Sequence, residues 1–345
     1  MTSTFDDIVG HDRVLQPLQR ALATDRLHHA LLFHGPEGVG KRRSAFALAA
    51  AIQCSEQPGT GCGSCPSCRR VLQGYEHNRL KDRTQVRATA LHADVLFYPP
   101  RRRQIQIDQV KDLCREAGYR PYEGRKRIFI VDPADRMNRE AANALLKTLE
   151  EPPPSALLIL ITAHPQGLLA TLRSRCQDVR FAPLPVADLS SLLEKRDHPP
   201  HQAERLARLA VGSVGRALAI DLAHEDELRE QLLTLLESAG TGGGLGQALG
   251  LAEQLGADAG SFEAAMTSLA SILRDLALLH QGVPDDALVH ADAAERLRPL
   301  TARFGERAAA ELAGLEEARR RVRGNVNPRL ATEAVLMRLV ARPHA

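Results

Sequence analysis

The sequence predicts an α/β fold in which a parallel sheet is flanked by helices, followed by a C-terminal half made of helices. Three features of the chain predict it. A Gly-rich loop, Gly35–Lys41, joins an apolar run at 30–33 to an Ala-rich helical pattern at 41–53. Further apolar runs alternate with helical patterns up to about residue 182, as in chains whose strands pair in parallel. After that point the strand patterns stop, and Ala, Leu, Glu and Arg predominate.

Length and composition restrict the class of protein. The chain of 345 residues has a net charge of only +3. No apolar run approaches the roughly 20 residues of a membrane span. The segment Met1–Asp7 lacks the basic and apolar stretches of a signal peptide, so we expect a cytoplasmic protein without a membrane partner. Aromatic residues make up 3% and Trp is missing, which argues against a platform that stacks nucleic-acid bases.

Two basic runs stand out, Arg101-Arg102-Arg103 and Arg125-Lys126-Arg127. Each run is either a contact for the phosphate backbone of a nucleic acid or an ordinary solvated surface, and the sequence leaves both interpretations open. Because aromatic residues are scarce, contact with nucleic acid is expected to be mainly electrostatic.

Apolar runs predict the strands that follow the Gly-rich loop. They cover residues 95–98, 127–131 and 157–161. The run at 127–131 is unbroken and apolar, which is expected of a strand buried on both faces of a sheet.

Periodic patterns and capping residues predict the helices between these strands. An amphipathic pattern at 12–27 precedes the first strand. We expect Asp108 to cap a helix that ends near Ala117. Asn138 is expected to cap the next helix, which the three prolines at 152–154 end.

The Gly-rich loop has the pattern of a phosphate-binding P-loop. In this context Gly35, Gly38 and Gly40 let backbone N–H groups point inward, the helix N-terminus adds a positive field, and Lys41 reaches the outer phosphates. The pattern fails at its last position, where a Ser or Thr hydroxyl should bind Mg²⁺ and the chain has Arg42.

Asp132 follows the strand at 127–131, where a P-loop fold holds its Mg²⁺ ligand. The alternative interpretation is a turn former after a buried strand, and the upstream loop favours the nucleotide-fold interpretation. Hydrolysing members of such folds usually carry a water-activating Glu at the next position, but this chain has Pro133, which offers no base. Asp135 is expected to cap or position the following helix.

Four cysteines form a C-x₇-C-x₂-C-x₂-C pattern at Cys54, Cys62, Cys65 and Cys68. The short spacings suit tetrahedral coordination, and metal binding is favoured over disulfides in a cytosolic chain. With four thiolates the site has no open position, so we expect structural Zn²⁺.

Two arginines are candidates for phosphate contacts. Arg175 follows the fourth strand, and an Arg beyond the nucleotide edge of a parallel sheet can be offered to a phosphate of the same or a neighbouring subunit. Arg216 opens a later helix and is a candidate for the same site. On spacing alone an ordinary surface charge explains Arg175 better and Arg216 equally well.

These segments together resemble the AAA+ subunits of bacterial sliding-clamp loaders over nearly the whole chain. The matching segments are Gly35–Lys41, the four-cysteine insert, Asp108–Val110, Tyr122–Gly124, Asn143–Pro153, Ser174–Cys176, Gly212–Arg216 and Asn325–Pro328. The Leu145–Pro153 run and the Ser-Arg-Cys triplet are highly specific to that family.

The resemblance implies roles for the matching residues. Lys41 would contact phosphates, Asp132 would occupy the metal position, and Thr162 would sense the terminal phosphate. Arg175 would be an arginine finger directed into the ATP site of the adjacent subunit, and Arg216 would be the lid sensor.

The resemblance also implies an assembly and a domain layout. The chain would act with motor ATPase subunits and a clamp-opening subunit in a hetero-pentamer of DNA polymerase III that loads the sliding clamp on primer-template DNA. The layout would be an AAA+ domain at 1–181 with a zinc module at 54–68, a helical lid at 182–222, and an all-α collar at 223–345.

Arg42 and Pro133 indicate a loader subunit whose own ATP site is degenerate. The alternatives are an active ATPase motor of the same loader and, less favoured, a zinc-dependent DNA-binding module. The sequence leaves open whether ATP and Mg²⁺ bind without turnover, since Gly35–Lys41 is intact.

Overall fold

A computed structural model of the chain describes residues 3–6, 8–80, 92–101, 103–240 and 244–341. Arg102, the middle residue of one predicted basic run, lies outside the described residues. The chain divides into two compact units, 1–218 and 219–345.

The first unit contains a parallel sheet, which in its described part has five strands. They are β1 Ala30–His34, β2 Val95–Tyr98, β3 Arg127–Val131, β4 Ala156–Thr162 and β5 Gln177–Arg180. The strand order is β2-β3-β4-β1-β5. The predicted parallel sheet is confirmed, and β5 is a strand that the sequence patterns did not predict.

Helices connect these strands and continue beyond β5. They are α1 Asp12–Ala23, α2 Lys41–Gln53, α3 Pro66–Leu80, α4 Ile107–Ala117, α5 Arg139–Glu150, α6 Ala170–Arg173, α7 Val186–Glu194, α8 Pro200–Leu209 and α9 Val214–Ala217. The predicted bounds of α2 are confirmed, whereas α1 ends earlier than predicted.

The caps of two helices test the sequence predictions. Asn138 caps α5, as expected, by accepting a hydrogen bond from the Ala141 N–H at 2.8 Å. The predicted end of α4 near Ala117 is confirmed, but the predicted cap was wrong: the residue before the helix is Gln106, whose N–H donates to the Gln109 side chain at 3.2 Å. Asp108 lies in the first turn, where its negative charge favours the helix N-terminus.

The sheet is buried on both faces, as the unbroken apolar strands predicted. In β3, Ile128 and Ile130 pack in the cluster that contains α2, while Phe129 and Val131 pack in the cluster that contains α4 and α5. Burial of apolar surface is the main favourable term in folding. The two clusters therefore fix the sheet between its helical layers and hold its loops in place.

In the described residues of the second unit the regular elements are helices. They are α10 Leu222–Ser238, α11 Gly244–Leu255, α12 Ala259–His280, α13 Ala294–Phe304, α14 Ala308–Arg323 and α15 Pro328–Val340. Their core includes Leu232, Phe262, Leu269, Phe304 and Leu336. Among the helices of the described chain, none combines the length and apolar character needed to cross a bilayer.

Candidate functional site

The Gly-rich loop joins the end of β1 to the start of α2, and its glycines are required by close contacts. Gly35 has a φ of +142°, and a Cβ there would lie 2.1 Å from the carbonyl oxygen of Phe181. Gly38 has a φ of +74°, and a Cβ there would lie 2.2 Å from Ser213 Oγ. A side chain at Gly35 would collide with the backbone of Phe181, and one at Gly38 would collide with the side chain of Ser213. Both positions therefore require glycine.

Lys41 is the first residue of α2 and is buried, directly after Gly40. Its Nζ donates hydrogen bonds to the carbonyl oxygens of Gly35 and Pro36, both at 2.6 Å. Burial lowers the pKa of Lys41, and the nearby carboxylates of Asp132 and Glu37 oppose that shift. The ammonium therefore lies inside the loop, where a phosphate-bearing ligand would need it.

Asp132 follows β3 and forms an ion pair with Arg42, whose Nε donates to Asp132 Oδ2. Asp132 is buried, and the guanidinium of Arg42 lies over the ring of Phe97, 5.2 Å from its centroid. The residue that breaks the P-loop pattern thus contacts the carboxylate at the expected metal position. Sequence spacing gave no indication of this contact, because 90 residues separate the two.

Thr162, the last residue of β4, is buried and donates from Oγ1 to Asp135 Oδ1. Its Oγ1 also accepts the N–H of His164 at 2.9 Å. Asn138 and not Asp135 caps α5, so the capping role expected of Asp135 was wrong, and a role of Asp135 in positioning that helix stays a prediction. Neighbouring parallel strands end at the same edge of a sheet, so the order of β3 and β4 explains why these residues meet.

The helix α9 approaches the Gly-rich loop through its first turn. The N–H of Gly215 donates to the carbonyl oxygen of Gly38 at 2.9 Å, and Ser213 Oγ accepts the N–H of Arg216 at 3.2 Å. Gly215, which contacts the loop, directly precedes Arg216, so the backbone of Arg216 lies close to the loop.

Arg175 lies at the end of the sheet where the strands begin, opposite the end where the Gly-rich loop follows β1. It directly precedes β5, which pairs in parallel with β1, whereas the Gly-rich loop follows β1. Arg175 is therefore not brought together with Lys41 of its own chain, and its action on a neighbouring subunit stays a prediction. Its side chain is partly exposed and donates to Glu150 and to the carbonyl oxygen of Thr171.

The four predicted metal ligands do come together. The Sγ atoms of Cys54, Cys62, Cys65 and Cys68 all lie within 4.8 Å of one another, and the four residues are buried. Cys54 Sγ lies 3.6 Å from Cys62 Sγ and 3.9 Å from Cys65 Sγ. Zn–S bonds of about 2.3 Å at tetrahedral angles require S–S separations of about 3.8 Å. The donor set therefore fits zinc.

The thiols of this cluster differ in their acidity. Burial raises the pKa of Cys65, but hydrogen bonds from the backbone of Cys68 and Ser55 outweigh it and lower that pKa to about 6. Burial and hydrogen bonding to neighbouring thiols raise the pKa of Cys68. Several thiolates this close together repel one another, so full deprotonation requires a bound cation.

Polar contacts connect the cysteine segment to the sheet. The guanidinium of Arg70, on α3, makes two bonds to the carboxylate of Glu123, at 2.8 and 2.7 Å. Asp94 is fully buried just before β2 and accepts the N–H groups of Tyr122, Glu123 and Gly124 at 2.8, 3.0 and 2.7 Å. The 122–124 loop is thus held between the cysteine segment and the start of β2.

The second basic run does not form a continuous charged surface. Arg127 is 1% exposed and pairs with Asp94 and Glu116. Both interpretations of that residue, a phosphate contact and a solvated charge, were wrong, because it is the buried first residue of β3, an interior strand of the sheet. In the first run, Arg101 pairs with Asp108.

The fold and this site define a class of protein. A parallel sheet, a glycine-requiring loop between β1 and α2 with a buried lysine, and an aspartate after β3 make this a P-loop α/β protein. A family model described as DNA polymerase III, delta subunit, matches residues 10–185. The chain belongs to that family.

Proteins with similar sequences include several subunits of DNA polymerase III. The chain is 35% identical to the delta' subunit of Bacillus subtilis over 63% of its length and 60% of that protein. It is 35% identical to the delta' subunit of Pseudomonas aeruginosa over 61% of its own length and 60% of that protein. It is 34% identical to the tau subunit of Escherichia coli over 63% of its own length and 32% of that protein. The chain thus covers between one third and three fifths of the length of these relatives, and the expected resemblance to subunits of DNA polymerase III is confirmed.

The solved structures that are similar to the chain are more distant in sequence. A DNA polymerase III gamma subunit-related protein from Thermotoga maritima is 18% identical, with 94% of this chain and 98% of that chain covered and a TM-score of 0.39. The Bacillus subtilis DNA clamp loader delta protein is 14% identical, with 94% and 99% covered and a TM-score of 0.32. Similarity at this level gives no evidence about the site.

Proposed function

We propose that the chain is a subunit of the sliding-clamp loader of DNA polymerase III and acts in DNA replication. It would help to place the clamp on primer-template DNA, with its own ATP site degenerate and with Arg175 directed to a neighbouring ATPase subunit. The contact that carries the proposal is the ion pair between Arg42 and Asp132, supported by membership of the family.

This ion pair argues against the alternative of an active motor. Hydrolysis in P-loop proteins depends on a metal ion at the phosphates and on a residue that orients the attacking water. Asp132 is paired with a guanidinium, and Pro133 has no side-chain base. Losing both functions should remove most of the hydrolysis by this chain.

The position of Arg175 supports action on a neighbour. Because it lies at the opposite edge of the sheet from Lys41, its guanidinium is not available to the loop of its own chain. An arginine supplied to a phosphate by another subunit is worth about 10³–10⁵ in rate. Thr162 and Arg216 are proposed to remain as sensor positions without turnover.

The remaining parts are assigned supporting roles. Residues 1–181 form the AAA+ domain, 182–222 a lid, and 223–345 a collar that joins the chain to the motor subunits and the clamp-opening subunit in a hetero-pentamer. Cys54, Cys62, Cys65 and Cys68 would hold a structural Zn²⁺ that fixes the segment between α2 and α3.

The proposal is tested by reconstituting the loader with Arg175→Ala and measuring ATP hydrolysis in the presence of clamp and primed DNA. We expect turnover to fall by about three orders of magnitude at the site that receives the arginine. Arg120→Ala is the matched control, because Arg120 is an exposed arginine in the segment that follows α4. Unchanged hydrolysis with Arg175→Ala in an assembled complex would refute the arginine assignment.

A second measurement addresses the degenerate site. The isolated chain with ATP and Mg²⁺ should show no turnover above a control without protein. Hydrolysis comparable to a motor subunit would support the alternative function and contradict this one.

A further inference from the structure

We propose that the guanidinium of Arg42 takes the place of a divalent cation at the Gly-rich loop, so that the loop binds a polyphosphate chain without Mg²⁺. This inference rests on the proposed function, in which the site is degenerate, and it states what that site still binds and under which conditions.

The residues around Asp132 do not fit Mg²⁺. A magnesium ion in a P-loop protein is held by the hydroxyl at the position that Arg42 occupies, by a carboxylate such as Asp132, and by phosphate oxygens. Here the hydroxyl is replaced by a cation, and that cation is bonded to the carboxylate. A dication between them would be repelled by Arg42 and would have to separate a partly buried ion pair.

The same residues do fit phosphate oxygens. Lys41 and Arg42 are consecutive at the start of α2, where the unpaired N–H groups of the helix favour an anion. The loop glycines that allow close backbone approach are intact. The carboxylates of Asp132, Glu37 and Asp135 also act on Lys41, so phosphate oxygens would be bound by the hydrogen-bond donors of Lys41, Arg42 and the helix N-terminus and not by a net positive charge.

Arg42 has hydrogen-bonding capacity left for such a ligand. A guanidinium offers five N–H donors in a planar fork. Only Nε is engaged, with Asp132 Oδ2, and within the described parts of the chain its two terminal nitrogens have no hydrogen-bond partner. The side chain is 24% exposed, so these nitrogens are not sealed in the core.

The orientation of Arg42 is fixed from two sides. Asp132 holds Nε, and the ring of Phe97 lies under the guanidinium, 5.2 Å away. An arginine held in this way loses less conformational freedom on binding a phosphate than an unrestrained one. Arg42 therefore has the charge, the free donors and the fixed geometry that a bound metal ion would otherwise supply.

Calorimetric titration of the full chain with the sodium salt of ATP tests the inference, once in magnesium-free buffer and once with excess MgCl₂. We expect the two dissociation constants for ATP to agree within about threefold, or the magnesium-free value to be tighter, because Mg²⁺ brings no additional ligand to this site. A tightening of about tenfold or more by Mg²⁺ would overturn the inference. Absence of binding in both buffers up to millimolar ATP would also overturn it.

Two variants make the assignment specific to Arg42. Arg42→Thr restores the hydroxyl and frees Asp132, so Mg²⁺ should now tighten ATP binding by about tenfold. Arg43→Thr is the matched control: Arg43 lies over the Tyr75 ring, with its guanidinium carbon 5.3 Å from the centroid. Arg43→Thr should keep the metal independence. If Arg42→Thr does not fold, the comparison of magnesium-free and magnesium-containing buffer with the unmodified chain still decides the question.

The outcomes are separable from those of the proposed function. A requirement for Mg²⁺ in the unmodified chain would contradict this inference and leave the effect of Arg175→Ala on the loader intact. An Arg175→Ala loader with normal turnover would contradict the proposed function and leave the binding measurements unaffected.

Discussion

Arg175 and Glu150 form an ion pair at the edge of the sheet opposite the Gly-rich loop, with Arg175 Nη2 2.6 Å from Glu150 Oε1. Glu150 is the last residue of α5, and Arg175 lies between α6 and β5. The side chains are 35% and 51% exposed, so the pair is worth only about 0–1 kcal/mol of stability. Its consequence is orientation: together with the Thr171 carbonyl, Glu150 holds the guanidinium in one direction.

Glu150→Gln should separate this positioning role from stability. The free energy of unfolding is expected to change by less than about 1 kcal/mol. In the reconstituted loader, ATP hydrolysis should fall by about tenfold, less than for Arg175→Ala, because the arginine is present but less well oriented. Glu151→Gln is the matched control. Loss of turnover equal to that of Arg175→Ala, or none at all, would contradict a positioning role.

The cysteine cluster should contain zinc. Elemental analysis of the purified chain is expected to find about one zinc ion per chain, and Cys65→Ser should lose it together with thermal stability. Cys114→Ser is the control, because Cys114 is a residue of α4 that contacts Ala144 and Thr148 of α5 and is not part of the cluster. Retention of zinc by Cys65→Ser would show that the ligand set is incorrect.

Asp94→Asn should destabilise the first unit by about 3 kcal/mol, because it leaves buried Arg127 with reduced charge compensation. Burial raises the pKa of Asp94, but the N–H groups of Glu123, Tyr122 and Gly124 outweigh that effect and lower it. The ionised Asp94 therefore stabilises the folded state fully above the pKa of Asp in the unfolded chain, about 3.9. This stabilisation is lost as the pH falls through the lower pKa of Asp94 in the folded state. Denaturant unfolding of both proteins from pH 7 to pH 3 should show their difference shrink at the acid end. A difference that is constant with pH would contradict this account.

Gly35→Ala should lower the free energy of unfolding by about 3 kcal/mol or more, because the new methyl group collides with the backbone of Phe181. Gly59→Ala provides a comparison in which φ is also positive, at +94°, but a Cβ meets no atom within 4 Å. Backbone strain there should cost about 1 kcal/mol. Equal losses at the two positions in chemical denaturation would mean that the contact with Phe181 is unimportant.

The parallel sheet was predictable because its central strands are unbroken apolar runs between helices. β5 was not, because its four residues include only one buried side chain, Val179, and edge strands carry little hydrophobic signal. Arg127 was misinterpreted for a related reason: charge in the sequence does not reveal a carboxylate such as Asp94 that compensates it inside the fold.

The candidate site was predictable where it depends on local spacing and not where it depends on distant contacts. The four cysteines and Lys41 lie in short motifs whose geometry follows from their spacing. The pairing of Arg42 with Asp132 and of Thr162 with Asp135 depends on strand order, which local patterns do not specify.

The separation of the Gly-rich loop and Arg175 to opposite edges of one sheet has a consequence for assembly. On the proposed function, each such fold receives an arginine at one edge and donates one at the other, so copies associate head to tail through unlike surfaces. A head-to-tail series has a direction. A member that donates an arginine but hydrolyses nothing itself fits only at one end of the run of working ATP sites. The arginine at position 42 would then mark where that run stops.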